Sequence, residues 1–140
     1  MKRDLGDGFE LDDDRERIDR EVVHRFLSEE SYWAGGRDRS VSDELVGSAA
    51  RVVGLYSDGE LVGFSRAVSD GHTTAYLADV FVATELRGRG LGVELVRFSV
   101  DEGPLAHVRK WLLHTADAHS LYRKVGFGEP DGRAMERWRM

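Results

Sequence analysis

The chain has 140 residues, a formal net charge of −6, 41% hydrophobic and 33% charged residues, and no cysteine. That length and apolar content predict one packed domain and exclude wholesale disorder, while the acidic balance argues against a nucleic-acid partner. The lack of cysteine excludes a disulfide framework, a thiolate zinc site, an iron–sulfur cluster and a cysteine nucleophile; with no signal-like start and no membrane-length apolar run, a cytoplasmic location with no membrane partner is expected.

Residues 14–29 read as the first helix, because Ile18, Val22, Phe26 and Leu27 recur at helical spacing. Asp12, Asp13 and Asp14 suit the positive end of its dipole. Ser31-Tyr32-Trp33-Ala34-Gly35-Gly36 breaks the pattern and reads as a loop carrying two aromatics. A shorter helix is predicted over 41–48, with Ser40 as N-cap and Asp43 three residues on. Three strands follow, over 51–57, 60–69 and 73–82, separated by Asp58-Gly59 and Asp70-Gly71. Such dipeptides mark tight hairpins, so the three strands form an antiparallel meander.

Residues 91–101 then read as a helix with Leu91, Leu95 and Phe98 on one face, ended by Gly103-Pro104. A short strand over 110–115 contains Trp111-Leu112-Leu113, and a short helix spans 118–125. One or two final strands are expected at Phe127 and over 134–140. The strand–helix–strand crossover makes its two strands parallel. The expected fold class is α/β (α+β): a mixed, mostly antiparallel sheet with helices on both faces, in one domain spanning residues 1–140.

Charge is uneven. Residues 1–44 hold 14 acidic and 8 basic residues, whereas 45–140 hold 12 of each. Most of these charges read as solvated helix faces, and a local acidic surface favours a cationic substrate.

The segment most informative about chemistry is Val80-Phe81-Val82-Ala83-Thr84-Glu85-Leu86-Arg87-Gly88-Arg89-Gly90-Leu91-Gly92, between a strand and a helix. Its glycines let the backbone bend and let a ligand approach the N–H groups. The helix that opens here has unpartnered amides and a dipole that favours an anion, and Arg87 and Arg89 add positive charge. These are the parts of a phosphate site. It is not a P-loop, since no Gly-Lys-Ser or Gly-Lys-Thr ends it, and Val93 breaks the dinucleotide fingerprint.

Arg87-x-x-Gly90-x-Gly92 in this setting resembles the acetyl-CoA signature of the GCN5-related N-acetyltransferase (GNAT) superfamily. Leu121-Tyr122-Arg123-Lys124-Val125-Gly126-Phe127 is similar to that superfamily's second hallmark, and the two occur in its order. Tyr76-Leu77-Ala78-Asp79-Val80-Phe81-Val82, Ala116-Asp117-Ala118-His119 and Tyr32-Trp33 resemble segments of small bacterial members with unassigned substrates. The resemblance implies the GNAT fold, with a splayed parallel strand pair, and acetyl-CoA as acetyl donor without a metal. It implies that the amides of Arg87, Gly88, Arg89, Gly90, Leu91 and Gly92 hold the pyrophosphate. The main chain of Val80, Phe81 and Val82 would meet the pantetheine arm as if it were another strand. Thr115 stands where many members place an Asn that helps bind the cofactor, so the resemblance implies a weaker part there or none.

The implied reaction is direct acetyl transfer to the primary amine of a small molecule or peptide, in a ternary complex. The alternative is a CoA-binding sensor without catalysis, and a longer acyl chain stays open. Tyr122 matches the usual general acid. Asp79, on the cofactor strand, is the first candidate for the base; its other reading is a carboxylate anchoring a neighbouring loop. Tyr32 and Trp33 lie where the family places a substrate-covering loop, and Glu29 and Glu30 there would attract an ammonium group. His114 and His119 flank the turn before Tyr122 and offer a proton relay. None of the five histidines forms a zinc motif. A homodimer is common in the family and stays open here.

Overall fold

Asp-Gly dipeptides set the course of the sheet. Asp7 and Gly8 have φ of +54° and +82°, and Asp58 and Gly59 +48° and +85°, the left-handed pair that a two-residue hairpin turn demands. The first joins β1 (Lys2–Gly6) to β2 (Phe9–Asp12), a hairpin not foreseen above; the second joins β3 (Arg51–Ser57) to β4 (Glu60–Ser69). The turn before β5 (Thr74–Val82) is longer than expected. The Asp70 carboxylate accepts hydrogen bonds from the amides of His72 and Thr73 and from the Thr73 hydroxyl, and so builds a wider Asx-type loop.

The computed structural model describes residues 1–139. Six strands lie side by side in chain order, antiparallel except for β5 and β6 (Lys110–Leu112), which run parallel. The crossover between them is α3 (Leu91–Asp101). The expected mixed sheet with helices on both faces is the observed one. On one face Phe26 and Leu27 of α1 (Arg20–Glu30) and Val46 of α2 (Arg39–Ser48) pack on Val52, Phe64 and Phe81. On the other, Leu91, Leu95 and Phe98 of α3 pack on Leu11, Val53, Leu55 and Val82. Each such side chain contributes about 1.5–3 kcal/mol on full burial. Arg51 ties the second layer down. Its Nη1 donates to the carbonyls of Phe98, Ser99 and Glu102 at the end of α3, while Nε and Nη2 reach Asp13.

Several boundaries differ from the sequence reading for local reasons. Instead of one helix over 14–29, a 3₁₀ turn (Arg15–Arg17) precedes α1. Asp14 and Asp19 each capture an amide downstream, of Glu16 and Val22, so the chain caps twice and Ile18 between them is extended. α2 starts at Arg39 with Asp38, not Ser40, at the N-cap, and Asp43 pairs with Arg39. β6 stops at Leu112 and α4 spans only His119–Arg123. Among the described residues no strand forms at Phe127 or over 134–139; Met140, the end of that predicted strand, lies outside them. That stretch alternates charge with a few apolar residues, Met135 and Trp138 stay exposed, and three-residue β6 offers it little edge to pair with.

Candidate active site

β5 carries the site because it is irregular. Phe64 pairs with Phe81 and Arg66 with Ala78, so Asp79 and Val80 together face the single residue Ser65. This is a β-bulge, and Asp79 takes the left-handed backbone it needs, at φ +53°. The extra residue turns the strand over. Leu77 packs with Val96 and Val100 of α3, whereas Phe81 stacks on Phe26 of α1 with ring centroids 3.9 Å apart. Strict alternation would have put both on one face. The parallel pairing of β5 with β6 covers only Thr74 to Tyr76. Beyond Tyr76 the two strands part, and a cleft of about 1200 Å³ opens between β5, the 113–122 segment and the start of α3.

After β5 the chain makes one 3₁₀ turn (Thr84–Leu86), and the Arg87 amide closes it on the Thr84 carbonyl. From Gly88 to Val93 no amide has a hydrogen-bond partner among the described residues; the first helical bond runs from Glu94 to the Gly90 carbonyl. The free run is thus displaced by one residue from the expected Arg87 to Gly92. Gly88 and Gly90 have φ of +83° and +81°, which a side chain would strain. Gly92 packs closely on α4: a Cβ there would lie 2.9 Å from the Cδ1 end of Leu121, which would have to shift. Arg87 lines the cleft, but Arg89 faces a separate hollow of about 490 Å³ shared with Arg3 and Glu94.

The other expected residues fall on both sides of the cleft. Val80, Phe81, Val82, Thr115 and Tyr122 line it. The Thr115 hydroxyl accepts from the Ala118 amide, and so holds the turn into α4. Burial, helped by Tyr32 and Asp117, pushes the Tyr122 phenol up to about 12, so it is a neutral O–H donor throughout the neutral range. Tyr32 and Trp33 line the opposite wall, edge to face 5.0 Å apart. The Tyr32 hydroxyl accepts from the Ala116 amide at 2.7 Å and so bridges the two walls. Glu29 is exposed and lies outside the cleft; Glu30, the next residue round the helix, lines it. His119 is also exposed and outside it.

Asp79 is buried and fully engaged. Trp33 Nε1 donates to Oδ1 at 2.9 Å, Arg37 donates to both oxygens at 2.9 and 3.3 Å, and Arg66 Nε donates to Oδ2 at 2.8 Å. Burial opposes its ionisation, but the hydrogen bonds and charges of Arg37 and Arg66 outweigh that and hold it below the usual carboxylate range. Such a carboxylate is a poor proton acceptor at neutral pH and a good anchor for the α1–α2 loop. Nor does the acidity of the N-terminal third form a face over the cleft. Asp12 pairs with Arg17, Asp13 with Arg51 and the terminal amino group, and Asp14 and Asp19 cap helices. Of the acids in residues 1–44, Glu30 alone lines the cleft.

Sequence reasoning missed Arg37, Arg66, Tyr76 and Glu136. The Tyr76 hydroxyl and His114 Nδ1 are 2.6 Å apart, and His114 Nε2 lies 2.8 Å from Glu136. Arg66 had a visible signal, a lone charge inside an apolar strand. Arg37 and Glu136 had none, since nothing local marks a loop arginine or a tail glutamate as facing a cleft.

Residues 10–127 match the family model described as the acetyltransferase (GNAT) family. The chain belongs to the GNAT acetyltransferase family. The crystal structure of a candidate GNAT-family acetyltransferase from Xanthomonas campestris pv. campestris is 34% identical, with a TM-score of 0.86 over 94% of this chain and 93% of that one. A candidate acetyltransferase from Deinococcus radiodurans, 23% identical, shares the fold, with a TM-score of 0.71 over 96% of this chain and 92% of that one. A curated candidate acetyltransferase of Gibberella zeae is 32% identical over 92 residues, 64% of this chain and 51% of its own length; the chain thus spans about half of that relative. The GNAT match ends at Phe127, so Glu136 and Trp138 add to the cleft wall from outside the matched region. Among the described residues no helix is long and apolar enough to cross a membrane.

Proposed function

We propose that this GNAT-family protein transfers an acetyl group from acetyl-CoA to a primary amine by direct attack in a ternary complex. The observation that carries this reading is that Gly88 and Gly90 to Val93, with their unpartnered amides, the unpaired edge of β5 and Tyr122 all line one cleft. The amides, with Arg87 beside them, would hold the diphosphate, and the main chain of Val80 to Val82 the pantetheine arm. When bound, acetyl-CoA supplies the acyl group as an activated thioester. Tyr122 donates its O–H toward the sulfur that leaves, and burial keeps that proton in place until then.

An aliphatic amine with a pKa of about 10 must lose a proton before it attacks. We assign that proton to the pair Tyr76 and His114. Glu136 fixes the Nε2 proton of His114, which leaves Nδ1 as the acceptor facing the Tyr76 hydroxyl. Asp79 is assigned to positioning Trp33 and Arg37 and not to proton transfer. The test is thiol release from acetyl-CoA across a panel of primary amines, with Tyr122→Phe beside the parent. Turnover should fall about 100-fold, with acetyl-CoA binding little changed. Acetyl-CoA binding without thiol release for any amine would instead make the protein a CoA sensor.

A further inference from the structure

Two arginines meet one carboxylate at the acceptor end of the cleft, and the balance of charge and of donors is uneven. Asp79 is 3% exposed at its side chain, Arg66 12% and Arg37 19%, so water does little to offset the mismatch. Arg66 spends only Nε on Asp79; its two terminal nitrogens have no hydrogen-bond partner among the described residues, and neither has Arg37 Nε. Both arginines line the cleft, next to Tyr76 and Trp33. Among the described residues the other acids of the cleft form no ion pair with either of them. Glu30 makes no ion pair with either guanidinium among the described residues, and Glu136 is taken by His114. Arg87, Asp117 and Lys124 also line the cleft. The Asp79 cluster itself keeps one net positive charge and a planar fork of N–H donors, the complement of a two-oxygen anion.

We propose that the amine acceptor carries a carboxylate, held by the free edge of Arg66 and the Nε–H of Arg37 while Asp79 fixes both guanidiniums from behind. This rests on reading the cleft as an acetyl-transfer site, and it reverses the preference for a cationic acceptor suggested by the chain's N-terminal acidity. A single carboxylate neutralises the excess charge, whereas a phosphate dianion would overshoot it. The residues that bind the anion are thus distinct from those that hold the donor.

The experiment titrates the protein, with and without saturating CoA, with amino acids of graded chain length, each against its own carboxamide, by calorimetry. At least one acid should bind about tenfold or more tightly than its amide, because a site built around a charged group rejects the analogue that lacks it. Arg66→Gln should abolish that preference and leave the Kd for CoA unchanged. Arg66→Lys keeps a charge opposite Asp79 but lacks the fork; it should lose most of the preference while melting close to the parent temperature, which separates lost recognition from lost folding. Amides that bind as tightly as every acid, or a preference that survives Arg66→Gln, would overturn the proposal. Absence of CoA binding would instead strike the acetyl-transfer reading, and the acid–amide comparison made without CoA keeps the two failures apart.

Discussion

Two of the protein's buried arginine–aspartate clusters, around Arg51 and around Asp79, differ in what they leave over. Around Arg51, every guanidinium nitrogen has a partner: Asp13, the thioether of Met1, and three carbonyls at the end of α3. The group is 3% exposed and closes a helix end whose carbonyls have no other intrahelical partner. Around Asp79, two guanidiniums share one carboxylate and keep donors aimed at a cleft. The first cluster is complete by itself and holds layers together. The second is complete only with something added. Counting spent against unspent donors separates structural from functional buried charge here, where burial alone would class them together.

Substitutions can break or sharpen that contrast. Arg51→Leu should cost the most, about 3–5 kcal/mol in urea unfolding, since it leaves three carbonyls at the end of α3 without a partner and Asp13 with the terminal amino group alone; a loss well under that would mean the cluster is not the clamp described. Asp79→Asn keeps a residue type that tolerates the left-handed backbone but removes the charge. It should cost about 2–3 kcal/mol at neutral pH, less than full burial would give because the guanidiniums retain some solvent. The folded pKa of Asp79 is depressed, so its stabilisation is fully present above the unfolded value near 4 and lost as pH falls through the lower folded value. The stability gap between parent and variant should therefore narrow below about pH 4. A gap that widened with acid would contradict the assignment.

Smaller effects sharpen the picture of the open end. Gly90→Ala forces a side chain into φ +81° and should cost about 1–2 kcal/mol, with weaker acetyl-CoA binding as its second signature. Tyr32→Phe removes the hydrogen bond that the Ala116 amide donates across the cleft and should cost about 0.5–1 kcal/mol. Its clearer readout is a raised KM for the amine at nearly constant kcat, because the bridge shapes the acceptor end and lies off the reacting atoms.

How much was legible in the sequence follows from how local each signal is. β3, β4 and α3 have the bounds read from Asp58-Gly59, from strand patterning and from the Leu91, Leu95 and Phe98 face. The Asp7-Gly8 turn carries the same signal, but its flanking strands are short and charged, with only Leu5, Phe9 and Leu11 as apolar markers, and the hairpin went unread. The shape of the glycine loop after β5 was legible because glycine spacing encodes backbone conformation. Its exact register was not: whether Arg87 spends its amide on the preceding turn depends on the Thr84 carbonyl. Glu29 and Glu30 differ by about 100° around a helix, and approximate periodicity does not resolve which one faces a cleft. The Asp79 cluster joins residues 42 and 13 positions apart through a bulge, and no periodic pattern encodes that.

In the proposed acetyl-transfer reading, the amides from Gly88 to Val93 seat the CoA diphosphate. Backbone amide resonances followed during a CoA titration test it most directly. Binding should be saturable, with the largest shifts at Gly88, Arg89, Gly90, Leu91, Gly92 and Val93 and smaller ones along Val80 to Val82. Saturable binding that leaves those six amides unmoved, or no binding by the folded protein, would contradict it.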